Sequence, residues 1–139
     1  MALRVFMDKS KSIEELTGNV FSAPELQYSL STKCFSLVKT PVADLNVENL
    51  RMLIGQGIAL EFLIPLALDL LESDPLVSGA FYRGDLLENV VNVPESFWNQ
   101  HPELNNRLVE VRIEFEGVFS TMSKNIWPSL QHFEFKNEP

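Results

Sequence analysis

The sequence is poor in cysteine, histidine and positive charge. It has one cysteine, two histidines and eleven basic residues against nineteen acidic ones among 139 residues. The single cysteine, Cys34, excludes an intramolecular disulfide framework and is compatible with a reducing compartment. The net charge of −8 repels phosphate groups, so it argues against direct binding to nucleic acid or to an anionic membrane and favours a basic partner.

A membrane-spanning run is also missing. The longest apolar stretch, LIGQGIALEFLIPLALDLL, is interrupted at Gln56, Glu61, Pro65 and Asp69. A carboxylate at mid-membrane costs about 3 kcal/mol, so this stretch predicts a buried core element rather than a membrane span. The N-terminus reaches Asp8 before an apolar signal segment can form, which predicts a protein without a signal peptide.

No recognisable catalytic, cofactor-binding or metal-binding pattern is present. His101 and His132 belong to no nucleophile motif, and the carboxylates after Asp69 lack the spacing of a calcium loop. The Gly55-Gln56-Gly57 stretch lacks the lysine, hydroxyl or third glycine of a phosphate loop. We therefore interpret it as a structural turn between two closely approaching helices, and we expect a non-enzymatic protein that works by binding.

Helix signals occur along most of the chain. Ser12 followed by Glu15 predicts a capping-box helix that ends near Gly18, and Asn46 predicts a helix that ends at Gly55 or Gly57. A further helix is predicted between these two, bounded by Pro24 and Pro41.

The segment from Ile58 to Ser73 is apolar nearly all round, which predicts a deeply buried helix. Pro65 lacks an N–H and clashes with the preceding turn, so we expect two helical pieces packed as a central hairpin. After a loop, Asp85 is predicted to cap a helix that runs through Val91. Trp98 then falls in a short structural turn.

One region fits two structures. From Val109 to Phe115 the apolar residues alternate as in a strand, yet they also continue a helical stripe. We favour the helix, and therefore a single compact all-α domain over residues 1–139 with an irregular tail after Trp127-Pro128. The alternative is the same domain with a small strand pair formed by Val109–Phe115 and Leu3–Met7.

Acidic residues cluster around two aromatic residues in and beside the predicted loop. The candidate binding residues are Asp69, Glu72, Asp74, Tyr82, Asp85 and Glu88, and Phe81 lies beside Tyr82. Aromatic side chains among carboxylates suit the centre of an interface with a basic partner, although packing of the loop onto the core would explain Phe81 and Tyr82 equally well. As a helix cap, Asp85 would also serve stability rather than recognition.

Three segments in this order resemble the bacterial contact-dependent growth inhibition (CDI) immunity proteins: KSIEEL, TPVADLNVENLRMLIGQGIALEFLIPLALDLLESDPLVSGAFYRGDLL and FWNQHPEL. The resemblance covers about residues 11–104 and leaves a C-terminal extension, residues 105–139. It implies a cytoplasmic protein that binds the cognate C-terminal toxin domain of an exported effector, often a nuclease, and neutralises it. The candidate residues above then become toxin-binding candidates. An acidic helical adaptor or subunit of another complex remains the alternative, and an enzyme with an unrecognised acid/base site is a further one.

Overall fold

The structure is a computed structural model that describes residues 7–21 and 29–139. Its described part contains eight α-helices: α1 Ile13–Thr17, α2 Ser29–Leu37, α3 Val47–Gly55, α4 Leu60–Ser73, α5 Asp85–Val91, α6 Glu95–Gln100, α7 Pro102–Thr121 and α8 Trp127–Leu130. A 3-10 turn, Val42–Asp44, precedes α3, and a π-helical turn, Met122–Ile126, joins α7 to α8. The all-α prediction is confirmed.

The alternative with a small strand pair is wrong for its C-terminal member. Val109–Phe115 lies within α7, and the described residues contain only isolated bridges, Ser12 with Pro41 and Ser78 with Arg83. Residues 1–6, which include most of the other candidate strand, and Pro24 lie outside the described residues.

Local capping patterns account for several helix ends. Ser12 and Glu15 form the predicted capping box of α1, which ends at Gly18 in the left-handed conformation with φ 73°. At α3 the Asn46 side chain accepts the N–H of Asn49 at 2.8 Å, and the Asn49 side chain accepts the N–H of Asn46 at 3.0 Å. Both predicted helix starts are confirmed. They could be predicted because each cap depends on residues that are close together in the sequence.

Helix α4 forms the centre of the core. Leu63, Ile64, Ala67, Leu68 and Leu71 are fully buried, and the helix packs against α3, α5 and α7. The four helices therefore share one apolar interior, and the predicted deep burial of this segment is confirmed.

The predicted hairpin at Pro65 is wrong, because α4 runs through Pro65 as one helix. A proline inside a helix costs about 3 kcal/mol, since it removes one hydrogen bond and clashes with the previous turn. The carbonyl left without its partner belongs to Glu61, an exposed residue that water can reach. Burial of apolar side chains on both sides of Pro65 outweighs the local cost.

The Gly55-Gln56-Gly57 stretch forms the turn from α3 towards α4. Gly57 adopts the left-handed conformation with φ 71°, and its N–H donates to the carbonyl of Ile54 at 2.9 Å. A Cβ atom on Gly55 would lie 2.9 Å from Asn89 Oδ1 of α5, so glycine permits the close approach of these two helices.

Trp98 anchors α6 to the core. Its indole Nε1 donates to the carbonyl of Val93 at 3.2 Å, and its ring meets Phe97 edge to face with centroids 5.2 Å apart. Both rings pack against the core, so α6 is anchored where the chain turns into α7.

The chain continues well past the core. Within the described residues, the core and the side chains packed against it end at Val111. Residues 112–139, here called the C-terminal arm, expose a series of large apolar side chains: Ile113, Val118, Phe119, Met122, Ile126, Trp127, Leu130, Phe133 and Phe135. The predicted irregular tail begins later than expected, because Pro128 lies in the first turn of α8, where its missing N–H is tolerated.

No helix within residues 7–21 and 29–139 combines the length and the apolar character needed to cross a membrane.

Candidate functional site

The loop between α4 and α5, residues 74–84, is organised around the buried carboxylate of Asp85. Asp85 is 1% exposed. Its Oδ1 accepts the N–H of Gly79 at 2.6 Å, and its Oδ2 accepts the N–H groups of Phe81 at 3.1 Å and Tyr82 at 3.4 Å. One side chain thus satisfies three main-chain donors and fixes the path of the loop.

Asp85 was predicted to cap α5, and this is wrong. The N-cap residue is Gly84, with φ 94°, and Asp85 occupies the first helical position. From there its carboxylate is directed back into the loop that precedes it.

The pKa of Asp85 reflects two opposing effects. Burial alone raises it, but the hydrogen bonds donated by main-chain N–H groups, those of Gly79, Phe81 and Tyr82 above all, outweigh burial and lower the pKa below 3.8. Asp85 is therefore ionised at neutral pH, as an acceptor of several main-chain hydrogen bonds must be.

Two residues of α3 hold the loop from the other side. Glu48 Oε1 accepts the N–H of Ala80 at 3.0 Å and pairs with Arg51 Nε at 2.5 Å, while Arg51 Nη2 donates to Glu48 Oε2 at 2.7 Å. Arg51 Nε also lies 3.9 Å from Asp85 Oδ2, and the guanidinium stacks 4.4 Å from the centre of the Phe81 ring. The Arg51 hydrogen bond is the main reason that the pKa of Glu48 is lowered.

Sequence reasoning missed this role of Glu48 and Arg51. Glu48 lies in the first turn of α3, where the helix dipole favours a carboxylate, and this position alone gives no sign of a contact with the loop. The available signal was the i,i+3 spacing of Glu48 and Arg51, which predicts an ion pair. That spacing does not predict the contact of Glu48 with Ala80, which lies 32 residues further along the chain.

Tyr82 and Glu88 lie together on the outer face of this arrangement. The Tyr82 hydroxyl donates to a Glu88 carboxylate oxygen, and the Tyr82 side chain is 53% exposed. That hydrogen bond, with smaller effects from burial and from nearby carboxylates, raises the pKa of Tyr82. The Tyr82 phenol is therefore neutral at neutral pH, and it lies beside the Glu88 side chain at the surface. Phe81 beside it is also exposed.

The other acidic candidates occupy different surroundings. Arg107 of α7 bridges Asp69 and Glu72 of α4, with nitrogen–oxygen distances of 2.7 Å to each. Asp74 accepts the N–H of Leu76 at 3.0 Å where the loop begins. The structure thus gathers Asp74, Tyr82, Asp85 and Glu88 around one loop and engages Asp69 and Glu72 in a link between α4 and α7.

An apolar groove lies beside the Tyr82–Glu88 pair. It has a volume of about 620 Å³ and is bordered by the loop, α5 and α7, with Leu76, Leu87, Val91, Leu108 and Phe115 among its lining side chains. The described residues bring no three histidine, cysteine or carboxylate side chains together in a way that could hold a metal ion. The groove thus combines an apolar lining with the charged side chains of Arg83, Glu88 and Arg112.

A family model described as CDI immunity proteins matches residues 15–108, which is more than half of the chain. The matched range contains α3, α4, the 74–84 loop and α5, and it ends before the C-terminal arm. No curated protein and no solved structure matches the chain.

Proposed function

Because the chain belongs to the CDI immunity protein family, we propose that it binds the C-terminal toxin domain of a cognate CDI effector in the cytoplasm and neutralises it. The exposed Tyr82–Glu88 pair, held on a loop fixed by buried Asp85, is the observation that carries this proposal. The loop lies within the matched range, as expected of a surface that serves the family's role.

Charge supports a basic toxin, and a nuclease in particular. A nuclease needs a cationic surface to bind phosphates, and a small protein of net charge −8 is electrostatically complementary to such a surface. Inhibition then needs no catalytic group of the immunity protein, which acts by occupying the toxin.

The loop supplies residues with different roles. Tyr82 is the central contact, because an aromatic ring with a polar tip offers large area at low entropic cost. Glu88 orients the phenol and adds charge, and Asp74 lies at the acidic rim. Asp85 positions the loop from beneath. Asp69 and Glu72, half neutralised by Arg107, contribute mainly to steering of the encounter.

Loops suit this task because their exposed side chains can change without disturbing the core. Here main-chain N–H groups make most of the contacts that fix the loop, so the side chains of Ala80 and Tyr82 are available for recognition.

The test is co-purification with the toxin domain encoded next to this gene, followed by binding kinetics at two salt concentrations. We expect Tyr82→Ala to weaken binding roughly 30-fold, chiefly through faster dissociation. Glu88→Gln should slow association at low salt, and this effect should fade at high salt because the screening length is about 8 Å near physiological ionic strength. Glu95→Gln at an exposed position of α6, outside both the loop and the C-terminal arm, is the matched charge control.

Unchanged rates for both loop variants, with their folds intact, would place the interface elsewhere. Capture of a partner other than a toxin would favour the acidic adaptor. Substrate turnover by the isolated protein would instead indicate an enzyme.

A further inference from the structure

The apolar stripe of the C-terminal arm continues a stripe that is buried in the first half of α7. Leu104 and Val111 are buried and Leu108 packs against the core. The same face then carries Phe115, Val118 and Met122, and the last two are 49% and 48% exposed. One helix face is therefore half covered by its own chain and half open.

The spacing along this face is that of a coiled-coil seam. Residues 104, 108, 111, 115, 118 and 122 alternate intervals of four and three, as a heptad repeat requires. The π-helical turn, Met122–Ile126, inserts one extra residue, so the stripe passes to Ile126 and Leu130 instead of the polar Asn125 and Ser129. The irregularity in the helix thus keeps the apolar face continuous.

The arm differs from the body in charge as well. From Gly117 to Phe133 the only formally charged side chain at neutral pH is Lys124. Residues 112–139 contain four acidic and three basic residues, so the arm carries −1 and residues 1–111 carry the other −7 of the net charge. A basic toxin attracted by the carboxylates of the body finds no comparable attraction on the arm.

We propose that the arms of two copies of this chain pair with each other, antiparallel, about a two-fold axis near Met122. In such an interface Met122 meets its own counterpart on the axis, and residues on either side of it pair reciprocally, so Phe115 of one copy lies near Leu130 of the other. Antiparallel pairing also keeps the two acidic bodies at opposite ends, whereas parallel pairing would place them side by side.

The same arrangement gives the apolar groove an occupant. The stretch from Phe115 to Leu130 is about 22 Å long at 1.5 Å per residue, so the arm tip around Phe133 reaches the other copy's groove beside Val91 and Leu108. The tip of the arm does not fill the groove of its own chain, because α7 runs without a break from Pro102 to Thr121 and the Phe133 and Phe135 rings beyond it are exposed.

The available area is sufficient for a stable dimer. The eight exposed apolar side chains of the arm other than Ile113 offer on the order of 800 Å² per copy, about the contribution of each partner to a standard interface. The arm lies outside the matched family range, and the inference does not depend on the identity of the toxin.

The oligomeric state of the full chain tests the proposal, measured by light scattering after size exclusion and by sedimentation velocity. The wild type should have twice the monomer mass of 15.8 kDa and dissociate on dilution. Met122→Glu and Met122→Lys each place like charges across the axis and should weaken association roughly 100-fold or more. Mixing the two variants in equal amounts should restore a dimer, since opposite charges then face each other.

Ile113→Glu is the matched control. Ile113 is 57% exposed and Met122 is 48% exposed, but Ile113 lies on the opposite face of α7, so this variant should remain dimeric. A monomeric wild type at all concentrations would overturn the proposal, as would a Glu/Lys mixture that stays monomeric or an equal loss of dimer in Ile113→Glu. Protection of the arm from hydrogen exchange only when the toxin domain is added would make the toxin its occupant instead.

Discussion

Replacing Asp85 with asparagine is the most direct test of how the 74–84 loop is held. The change keeps the shape of the side chain but removes its charge and one acceptor oxygen. In the native loop the two carboxylate oxygens accept N–H groups from Gly79, Phe81 and Tyr82. If the remaining oxygen of asparagine faces Gly79, its NH₂ group faces the other two donors, which then lose their acceptor.

The expected cost follows from these contacts. A hydrogen bond to a charged group contributes about 1.5–3 kcal/mol, and a buried donor without a partner costs about 1–3 kcal/mol. Because the loop can relax towards water, we expect Asp85→Asn to lower the free energy of unfolding by about 2–4 kcal/mol. Urea unfolding at neutral pH measures this directly. Asp74→Asn is the control, because Asp74 is exposed and accepts only the N–H of Leu76.

The pH dependence provides a second readout with a defined sign. The folded-state pKa of Asp85 lies below its ordinary value of 3.8. Its stabilising effect is therefore fully present above that ordinary value and is lost as the pH falls through the lower folded-state pKa. Asp85→Asn should remove this part of the acid sensitivity. An asparagine variant with wild-type stability and an unchanged acid limb would refute the role that we assign to the buried carboxylate.

Three further predictions concern stability. Gly79→Ala should cost about 1–3 kcal/mol in thermal melts, because a Cβ there would lie 2.5 Å from Glu48 Oε1 and 3.3 Å from its Cα; an unchanged melting temperature would contradict this close packing. Leu68→Ala should cost about 2–5 kcal/mol in urea unfolding, and more than Leu66→Ala at a half-buried site; equal effects would mean that α4 faces the core differently. Arg107→Gln should cost only about 0.2–1 kcal/mol, decreasing with added salt, and a larger salt-independent loss would show that more than surface ion pairs is involved.

The sequence predicted those parts of the fold that depend on neighbouring residues. In each capping pair, Ser12 with Glu15 and Asn46 with Asn49, the two residues are three positions apart in the sequence. Their patterns could therefore be interpreted without the rest of the chain. Pro65 shows the opposite case, because the local cost of proline is visible in the sequence while the burial that offsets it depends on helices packed from elsewhere.

The candidate site shows the same division. The acidic and aromatic composition of the loop was apparent, and so was the position of Tyr82 within it. The contact of Glu48 with Ala80 joins residues 32 positions apart, and no local pattern predicts it. The role of Asp85 could not be predicted from local sequence either. The direction in which its carboxylate points depends on the left-handed conformation of Gly84 and on the path of the loop.

The way in which the 74–84 loop is held separates its shape from the identity of its outer side chains. Its anchors, Asp85 and Glu48, bind main-chain N–H groups, which every amino acid except proline provides. Substitutions at Ala80 or Tyr82 can therefore alter the surface shown to a partner while the loop keeps its path. A protein built in this way can acquire a new partner through single substitutions, each of which leaves a folded molecule, and the loop offers a ready position for engineering that change in the laboratory.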